Sequence, residues 1–357
     1  MDGPYKIGEG KLKTALLGLK DTGQLMLKAA SASGYFQIQA VADTDTTLLE
    51  TARKEYNCQA YDDYRQLIIQ NQLDCLLVAA GIHSCDKHIR TAMKKKFNVL
   101  KLAPLARNFE EAAELVRLSE NENIKFAVAN PDRFAKSFLN LRDFLQQGNV
   151  EQISLITATY TAGNQSQPTW QTDPKLAGGG VLLYNCYQLM DQLILNFTVP
   201  QQVYSLTTSH ATDRQHRLYV TEDTAALIMK FSDTSFANLT ASNAFGSNQE
   251  FLKVYGKDKI LTASFNRLTI ADGLGQINEQ FEYNDSHLTC MKKLLKNFAL
   301  SILLPDKNKL TSSGRENLKN MAVIESAYLS ARTGFPEQPS RILKMEQLEP
   351  KNILQGQ

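Results

Sequence analysis

The alternation of short apolar segments with helical segments over about the first 130 residues constrains this fold more than any other feature of the sequence. Thr14–Leu17, Phe36–Ala42 and Asp74–Ala80 are apolar runs typical of buried strands. Stretches with helical character, such as Thr46–Tyr56 and Phe109–Glu120, alternate with them. Because strands that alternate with helices form right-handed βαβ units, this order predicts a Rossmann-like, doubly wound parallel sheet.

After about residue 150 the sequence changes to longer β-rich segments, some of them separated by short turns. They predict a large, mostly antiparallel open sheet with one face toward water, and hence an α+β domain. Two helices are predicted later, over Leu288–Leu303 and Ser313–Thr333. The β-rich segments are Ile153–Ala162, Val203–His210, Thr224–Phe231, Ser235–Asn243 and Glu250–Gly256.

The two patterns predict the domain boundaries. Residues 11–130 form the Rossmann-like dinucleotide-binding domain, and residues 131–337 form the α+β domain for substrate and oligomerisation. Residues 1–10 and 338–357 are interpreted as terminal extensions. The reason is that chain ends are often poorly ordered unless they dock on a domain.

Charge and cysteine usage exclude several classes of protein. The chain has 39 basic and 37 acidic side chains, a net charge of +2, which gives no electrostatic reason to expect nucleic acid or a membrane surface as partner. Its five cysteines are scattered, which argues against a disulfide framework and favours reduced thiols in the cytoplasm. The first residues lack the apolar core of a secretory signal, and no apolar run reaches the ~18 residues of a membrane span.

A glycine-containing turn follows the first predicted strand. A dinucleotide fold uses G-x-G-x-x-G there, with the second glycine allowing the backbone to approach the pyrophosphate. This chain has Gly18 and Gly23, but Lys20 occupies the second position. The turn is either a rearranged nucleotide site, in which the lysine amine pairs with phosphate, or a strand-to-helix turn that no longer binds nucleotide.

Asp43 ends the second predicted strand, 20 positions after Gly23. An acidic residue at this place normally accepts a hydrogen bond from a ribose 2′-hydroxyl and repels a 2′-phosphate. The sequence therefore favours NAD over NADP if a dinucleotide binds. The alternative is a solvated turn residue, because Asp43-Thr44-Asp45 also suits a loop and a helix cap.

Several segments occur in the order known from one family. They include VADTD, YDDYRQLI, LDCLLVAA and NVLKLAPLARNFEEAAELV, then Trp170 and Asp173, a triple glycine at 178–180, and Asp191. Over about residues 12–337 the chain resembles the Gfo/Idh/MocA oxidoreductases. The resemblance implies hydride transfer between NAD(P) and a small sugar- or polyol-like molecule, and a homodimer or homotetramer built through the large sheet. It places the cofactor at Gly18, Lys20, Gly23, Asp43, Ala80 and Pro104.

The residues on which the family's chemistry depends differ here. The resemblance implies a lysine just before Pro104 and, on one helix, an aspartate and a histidine four residues apart; these positions hold Ala103, Tyr184 and Gln188. Glutamine cannot act as a general base, and a tyrosine with the usual pKa of about 10 is a poor one. We therefore predict altered or impaired hydride-transfer chemistry. The alternative is a non-catalytic ligand-binding or regulatory protein on the same scaffold.

Two residues are candidates for the missing acid–base function. Tyr184 occupies the family's site, and His83 lies at the strand-end rim where open α/β sheets bind ligands. Lys101 is not expected to replace the lysine, since it lies two residues, roughly 6–7 Å, deeper in the sheet.

Candidate substrate-binding residues are Arg133, Trp170, Tyr187 and Gln188. Arg133 either clamps an anionic ligand or pairs with a carboxylate, and Tyr187 either lines the site or packs between helix and sheet. His83, Cys85 and His88 have a spacing compatible with zinc, but no fourth ligand accompanies them, so no metal site is predicted.

Overall fold

The computed structural model describes residues 10–163, 168–210 and 220–347. Contacts divide the chain into two compact units. The first contains the described residues up to Leu102 together with Arg117–Ala129 and His287–Thr311. The second contains Ala103–Val116, Asn130–Ser286 and the described residues from Ser312 onward.

This division differs from two contiguous domains that meet near residue 130. Residues 103–116 contact the second unit, and residues 287–311 return to the first. The predicted C-terminal extension begins with a helix, Pro339–Gln347, packed on the Gly314–Thr333 helix. The rest of that extension and residues 1–9 lie outside the described residues.

A six-stranded parallel sheet forms the centre of the first unit, as the alternating pattern predicts. Its spatial order is β3-β2-β1-β4-β5-β6, so the order reverses between β1 and β4. All four residues of β4 are buried, since helices cover parallel sheets on both faces. The strands are β1 (Leu12–Leu17), β2 (Phe36–Ala42), β3 (Gln59–Tyr61), β4 (Cys75–Val78), β5 (Asn98–Leu102) and β6 (Phe126–Ala129).

Helices follow these strands, and their ends agree with local sequence signals. Asp45 accepts hydrogen bonds from the amides of Thr47 and Leu48 and so caps one helix. The helix Thr22–Ser33 ends at Gly34, whose φ of 81° is the left-handed conformation that glycine adopts readily. The helices are α1 (Thr22–Ser33), α2 (Thr46–Tyr56), α3 (Tyr64–Gln70), α4 (Ile82–Lys94) and α5 (Phe109–Asn121).

The second unit is built on an eight-stranded sheet of order β14-β13-β12-β11-β7-β10-β9-β8. Its neighbouring strands are antiparallel except for β7 and β10. Five strands are found where the sequence predicts them; β12 to β14 have no predicted counterpart. The strands are β7 (Leu155–Thr161), β8 (Gln202–Thr208), β9 (Thr224–Lys230), β10 (Phe236–Ser242), β11 (Gln249–Tyr255), β12 (Lys259–Ser264), β13 (Arg267–Asp272) and β14 (Ile277–Glu282).

Helices cover one face of this sheet. Alternating residues of β9 are buried and exposed, which agrees with a sheet that has one face in water. Within the described residues, the remaining helices are the 3₁₀ turn Pro131–Phe134, α6 (Lys136–Gln146), α7 (Thr169–Thr172), α8 (Pro174–Ala177), α9 (Tyr187–Phe197), α10 (His287–Leu303), α11 (Gly314–Thr333) and α12 (Pro339–Gln347). Helix α9 packs on β7, β11 and α11, and α11 packs on β8, whereas α10 belongs to the first unit and packs on α1 and β6.

All five cysteines are buried, and none forms a disulfide. In the described part of the chain, no helix combines the length and apolar character needed to cross a membrane.

Candidate functional site

The turn after β1 lies where the strand order of the first sheet reverses. In open α/β sheets, ligands bind outside the carboxyl ends of the strands at this point. Gly18 has a φ of +87°, and a Cβ atom on it would lie 2.5 Å from the backbone nitrogen of Ala80, which follows β4. A Cβ atom on Gly23 would collide with the carbonyl oxygen of Gly18. The structure therefore brings Gly18, Gly23 and Ala80 together, and close backbone packing explains both glycines.

The amino terminus of α1 opens from this turn. Its N-cap residue, Asp21, makes no side-chain capping hydrogen bond, in contrast to Asp45 on α2. The first amides of a helix lack partners within the helix and attract anions. Lys20 is exposed beside them, so its amine can approach an anion from solvent, while Asp21 adds an exposed carboxylate at the same turn.

Asp43 is held against the same turn. The side chain is 3% exposed; Oδ2 accepts a hydrogen bond of 2.5 Å from the amide of Leu19, and Oδ1 accepts one of 2.9 Å from the amide of Asp45. Asp43 is therefore not a solvated turn residue, because its carboxylate shapes the glycine turn directly. A negative charge is fixed at the end of β2, where the ribose of a dinucleotide is expected.

His83 and its neighbours occupy the beginning of α4, which starts three residues earlier than the predicted helix. His83 is exposed on the first turn, whereas Cys85 is buried and its thiol lies near the carbonyl oxygens of Ala80 and Ile82. Burial raises the pKa of the Cys85 thiol to about 11. The His88 ring makes an edge contact with Tyr64. Within residues 10–163, 168–210 and 220–347, no group of three His, Cys, Asp or Glu side chains is arranged to hold a metal ion.

The position at which the resemblance implies a catalytic lysine holds Ala103, between Leu102 and Pro104. Lys101 on β5 is buried, and its charge lowers the pKa of Cys85 against the larger effect of burial. Ala103 has no functional group to offer, and Pro104 is buried after a cis peptide bond.

In the second unit, Glu222 clamps the triple-glycine turn. Its carboxylate accepts hydrogen bonds from the amides of Gly180 at 2.8 Å and Leu182 at 3.0 Å, and from the Tyr328 hydroxyl at 2.8 Å. A Cβ atom at residue 179 would collide with the Tyr328 hydroxyl, and one at Gly180 with the carbonyl oxygen of Glu222. The glycines are needed because the Tyr328 phenol and the Glu222 backbone carbonyl approach the turn so closely.

The clamped turn carries Tyr184. Its hydroxyl donates a hydrogen bond of 2.7 Å to the carbonyl oxygen of Ala177, and its ring meets Trp170 edge to face, with centroids 5.7 Å apart. Tyr184 lies before α9, in a turn closed by its own amide on the Gly180 carbonyl, while Gln188 is in the first turn of α9. Tyr184, Trp170 and Gln188 are all partly exposed, but the side-chain oxygen of Gln188 is itself buried.

Arg133 and Tyr187 lie in the interior of the second unit. The Arg133 guanidinium donates two hydrogen bonds of 2.7 Å to Asp191 and one of 2.9 Å to Glu316. Tyr187 is 0% exposed, and its hydroxyl donates to the Asn317 side chain at 3.0 Å. Arg133 thus pairs with carboxylates, and Tyr187 packs in the core, while their predicted role in substrate binding stays a prediction.

Two further carboxyl groups of the second unit, those of Glu250 and Asp132, have no recognisable sequence signal. Burial raises the pKa of Glu250, on β11, to about 7. Asp132 is 8% exposed in the 3₁₀ turn, and burial together with the charges of Glu250 and Asp191 raises its pKa to about 7. The two residues are 118 positions apart in the sequence, so only strand order and helix packing bring them near each other.

Two family profiles match the chain. The profile of the oxidoreductase family with an NAD-binding Rossmann fold covers residues 12–130, and that of the GFO/IDH/MocA C-terminal domain covers residues 138–262. Together they span more than half of the 357 residues.

Individual relatives are distant. An uncharacterized oxidoreductase of Schizosaccharomyces pombe is 23% identical over 201 residues, which is 55% of this chain and 53% of that protein. The D-xylose 1-dehydrogenase (NADP(+)) 2 of Haloferax volcanii is 23% identical over 337 residues, 91% of this chain and 97% of that protein. The matched stretch spans 53%, 66% and 62% of the lengths of the first three curated relatives.

Solved structures share the fold. Levoglucosan dehydrogenase, in a complex with NADH and levoglucosan, superimposes with a TM-score of 0.81 at 15% identity, over 92% of this chain and 99% of that one. At this identity the similarity is one of fold.

Proposed function

Because the chain belongs to the Gfo/Idh/MocA family, we propose that it is an NAD(P)-dependent oxidoreductase acting on a small sugar- or polyol-like molecule. The observation that carries the proposal is the glycine turn at residues 18–23, packed against Ala80 at the reversal point of the six-stranded parallel sheet. This is the place where dinucleotide folds bind their pyrophosphate.

The residues of this turn suit a dinucleotide. Gly18 and Gly23 allow the close approach of backbone, and the N-terminus of α1 is not capped by the Asp21 side chain. Lys20 replaces the middle glycine and offers its exposed ammonium group to a phosphate. When bound, the nicotinamide supplies the hydride acceptor or donor. The buried Asp43 carboxylate supports NAD over NADP, because it would repel a 2′-phosphate.

A substrate with several hydroxyl groups is supported by the second unit. Tyr184 and Trp170 are partly exposed residues that carry a phenol and an indole, and such groups bind hydroxyls and sugar faces. Relatives named for D-xylose and levoglucosan act on sugars or sugar derivatives. Ala103 and Gln188 imply that the proton is handled differently than by the lysine and histidine that the resemblance predicts.

The same two positions support a second candidate function, a ligand-binding or regulatory protein that carries out no hydride transfer. Ala103 removes an amine and Gln188 removes a titratable imidazole from the expected catalytic set. The two candidates differ in turnover rather than in cofactor binding.

Calorimetric titration with NAD⁺, NADH, NADP⁺ and NADPH tests the proposal. We expect NAD(H) to bind more tightly than NADP(H), and Lys20→Glu to weaken binding about tenfold, or ~1.4 kcal/mol. Lys28→Glu is the matched control, since it makes the same charge change on the exposed side of α1. Absence of binding at millimolar cofactor contradicts the proposal. Binding without reduction of NAD⁺ by any of a panel of sugars and polyols favours the second candidate.

We also propose a homodimer or homotetramer, formed in the cytoplasm through the open face of the large sheet. Leu206 is 60% and Ile228 57% exposed, and the pairing of β8, β9 and β10 places both on one face with Phe236. An apolar strip of this kind is typical of an interface. Light scattering is expected to show an oligomer that Ile228→Asp dissociates; a monomeric wild-type protein would contradict this assembly.

A further inference from the structure

Glu250 lies on the face of the large sheet that α9 covers. Leu252 and Val254, two and four residues further along β11, are fully buried, and alternate residues of a strand point to the same face. Helix α9 packs on β7 and β11 at this face. Unlike those two neighbours, Glu250 is partly exposed, so it lies at the edge of the packed region.

Glu250 neighbours a tyrosine that is hydrogen-bonded to the turn that carries Tyr184. Glu250 is paired with Tyr160 in the antiparallel register of β11 and β7. The Tyr160 hydroxyl accepts a hydrogen bond of 3.1 Å from the side-chain amide of Asn185, which follows Tyr184 directly. The charge of Glu250 also contributes to raising the pKa values of Tyr160 and Cys186. Glu250 therefore lies beside a tyrosine whose hydroxyl is hydrogen-bonded to the residue next to Tyr184.

The other titratable groups around Glu250 are Asp132, Tyr160 and Cys186. Asp132 is more deeply buried than Glu250, and the guanidinium of its sequence neighbour Arg133 donates to Asp191 and Glu316. Burial of Cys186 raises its pKa well above the usual range, and burial of Tyr160 raises its pKa, so both stay protonated near neutral pH. Of the two carboxylic acids in this set, Glu250 is the more exposed residue.

We propose that Glu250 is the proton acceptor and donor of the hydride transfer, in place of the lysine and histidine that Ala103 and Gln188 replace. This inference rests on the proposed function. In the oxidation direction, the substrate O–H bond breaks and its proton passes to the Glu250 carboxylate, directly or through the Tyr160 hydroxyl. The C–H bond of the same carbon breaks as its electron pair and hydrogen leave as hydride for the NAD(P)⁺ ring, and a C=O bond forms. In the reduction direction the carboxylic acid returns the proton.

A general base works best when its pKa lies near the operating pH. The pKa of about 7 that burial gives Glu250 meets this condition. Asp132 has a similar pKa of about 7, and the repulsion between the two charges favours a state in which one of them keeps its proton.

Glu250→Gln tests the inference, because glutamine keeps the size of the side chain but cannot accept the proton. Glu279→Gln on exposed β14 of the same sheet is the matched control. We expect cofactor affinity to be unchanged in both variants, and kcat for polyol oxidation to fall at least about 100-fold only in Glu250→Gln. The wild-type rise in kcat/KM with pH through about 7 is expected to disappear in this variant and to persist in Glu250→Asp.

A second readout does not depend on turnover. A carboxyl whose folded pKa is raised contributes stability that is fully present at acidic pH and is lost as pH rises through that pKa. With a folded pKa of about 7, the wild-type Tm is therefore expected to fall between about pH 4.5 and pH 7. Glu250→Gln is expected to have a Tm higher than wild type by roughly 2–4 °C at pH 8, and no such advantage at pH 4.5.

The outcomes separate the inference from the function on which it rests. If Glu250→Gln oxidises the substrate with the wild-type pH profile, or if its Tm tracks that of wild type at every pH, the inference is overturned while the oxidoreductase function stands. If the wild-type protein neither binds a dinucleotide nor reduces it with any polyol, the proposed function fails first and the role of Glu250 falls with it.

Discussion

At the scale of single residues, Asp43 shows how a side chain acquires a role from its partners. Its carboxylate accepts amide hydrogen bonds from Leu19 and Asp45, so it holds the glycine turn and places a negative charge beside it. Both effects support a site that accepts a free ribose hydroxyl better than a phosphate.

Asp43→Asn is expected to reduce the preference for NAD over NADP about tenfold, or ~1.4 kcal/mol, because the amide keeps an acceptor but loses the charge. The measurement is the ratio of the two dissociation constants by calorimetry. Asp45→Asn is the control: it changes the cap of α2, so it is expected to lower stability without changing the ratio. An unchanged ratio in Asp43→Asn would show that this carboxylate does not face the ribose.

The sequence alone predicted that the catalytic lysine, aspartate and histidine implied by the family resemblance are absent from their positions. Ala103, Tyr184 and Gln188 follow from the family resemblance without coordinates, and their catalytic consequence stays a prediction. The sequence left two roles open for Arg133 and Tyr187, and the packing around them favours the structural ones. The sequence does not distinguish Glu250, because a single glutamate in a β-rich segment has the same pattern as a solvated strand residue.

At the scale of elements, the second unit depends on a turn held by side chains from distant parts of the chain. Glu222 and Tyr328 are 106 residues apart and meet at the triple glycine. Burial and the charge of Glu222 raise the pKa of Tyr328 well above its usual range, so its hydroxyl stays protonated and donates. The position of Tyr184 depends on this arrangement.

Tyr328→Phe is expected to lower the free energy of unfolding by about 1–3 kcal/mol, because the buried Glu222 carboxylate loses one donor. Urea denaturation measures the change. Tyr283→Phe is the matched control, because the Tyr283 hydroxyl contacts Asn140 at a partly exposed place and its loss is expected to cost less than about 0.5 kcal/mol. Equal losses in the two variants would contradict the role of the clamp.

Periodicity in the sequence predicted whether a segment is a helix or a strand more reliably than it predicted how many strands the chain contains. The predicted bounds of β2 and α2 match the structure, since strong local patterns define them. Strand β14 was missed because all six of its residues are exposed, so it has no alternation of buried and exposed positions to reveal it.

At the scale of the whole molecule, the chain does not form its units one after the other. Helix α10, from the last quarter of the sequence, packs on α1 and β6 of the first unit. Its buried side chains include Met291, Leu294 and Phe298. Without α10, the apolar faces of α1 and β6 would be exposed to water.

A fragment of residues 10–130 is therefore expected not to fold stably by itself. Circular dichroism should show helical content with a broad thermal transition, and the fragment should bind a dye specific for exposed apolar surface. Joining residues 287–311 to it through a flexible linker is expected to restore a cooperative transition. Cooperative folding of the shorter fragment would show that α10 is dispensable.

The sequence by itself determined the features that depend on near neighbours. These are the two fold classes, the glycines of the first turn, and the absence of a lysine and a histidine at positions 103 and 188. Periodicity and turn chemistry act over a few residues, and one chain displays them directly.

Only the tertiary structure decided the relations between distant residues. In the fold, the Asp43 carboxylate accepts a hydrogen bond from the Leu19 amide, and α10 belongs to the first unit. Glu250 lies near Asp132 and Tyr160. The physical reason is that strand order and register set these contacts. Burial then changes the chemistry of the groups that meet, and neither effect leaves a local pattern in the sequence.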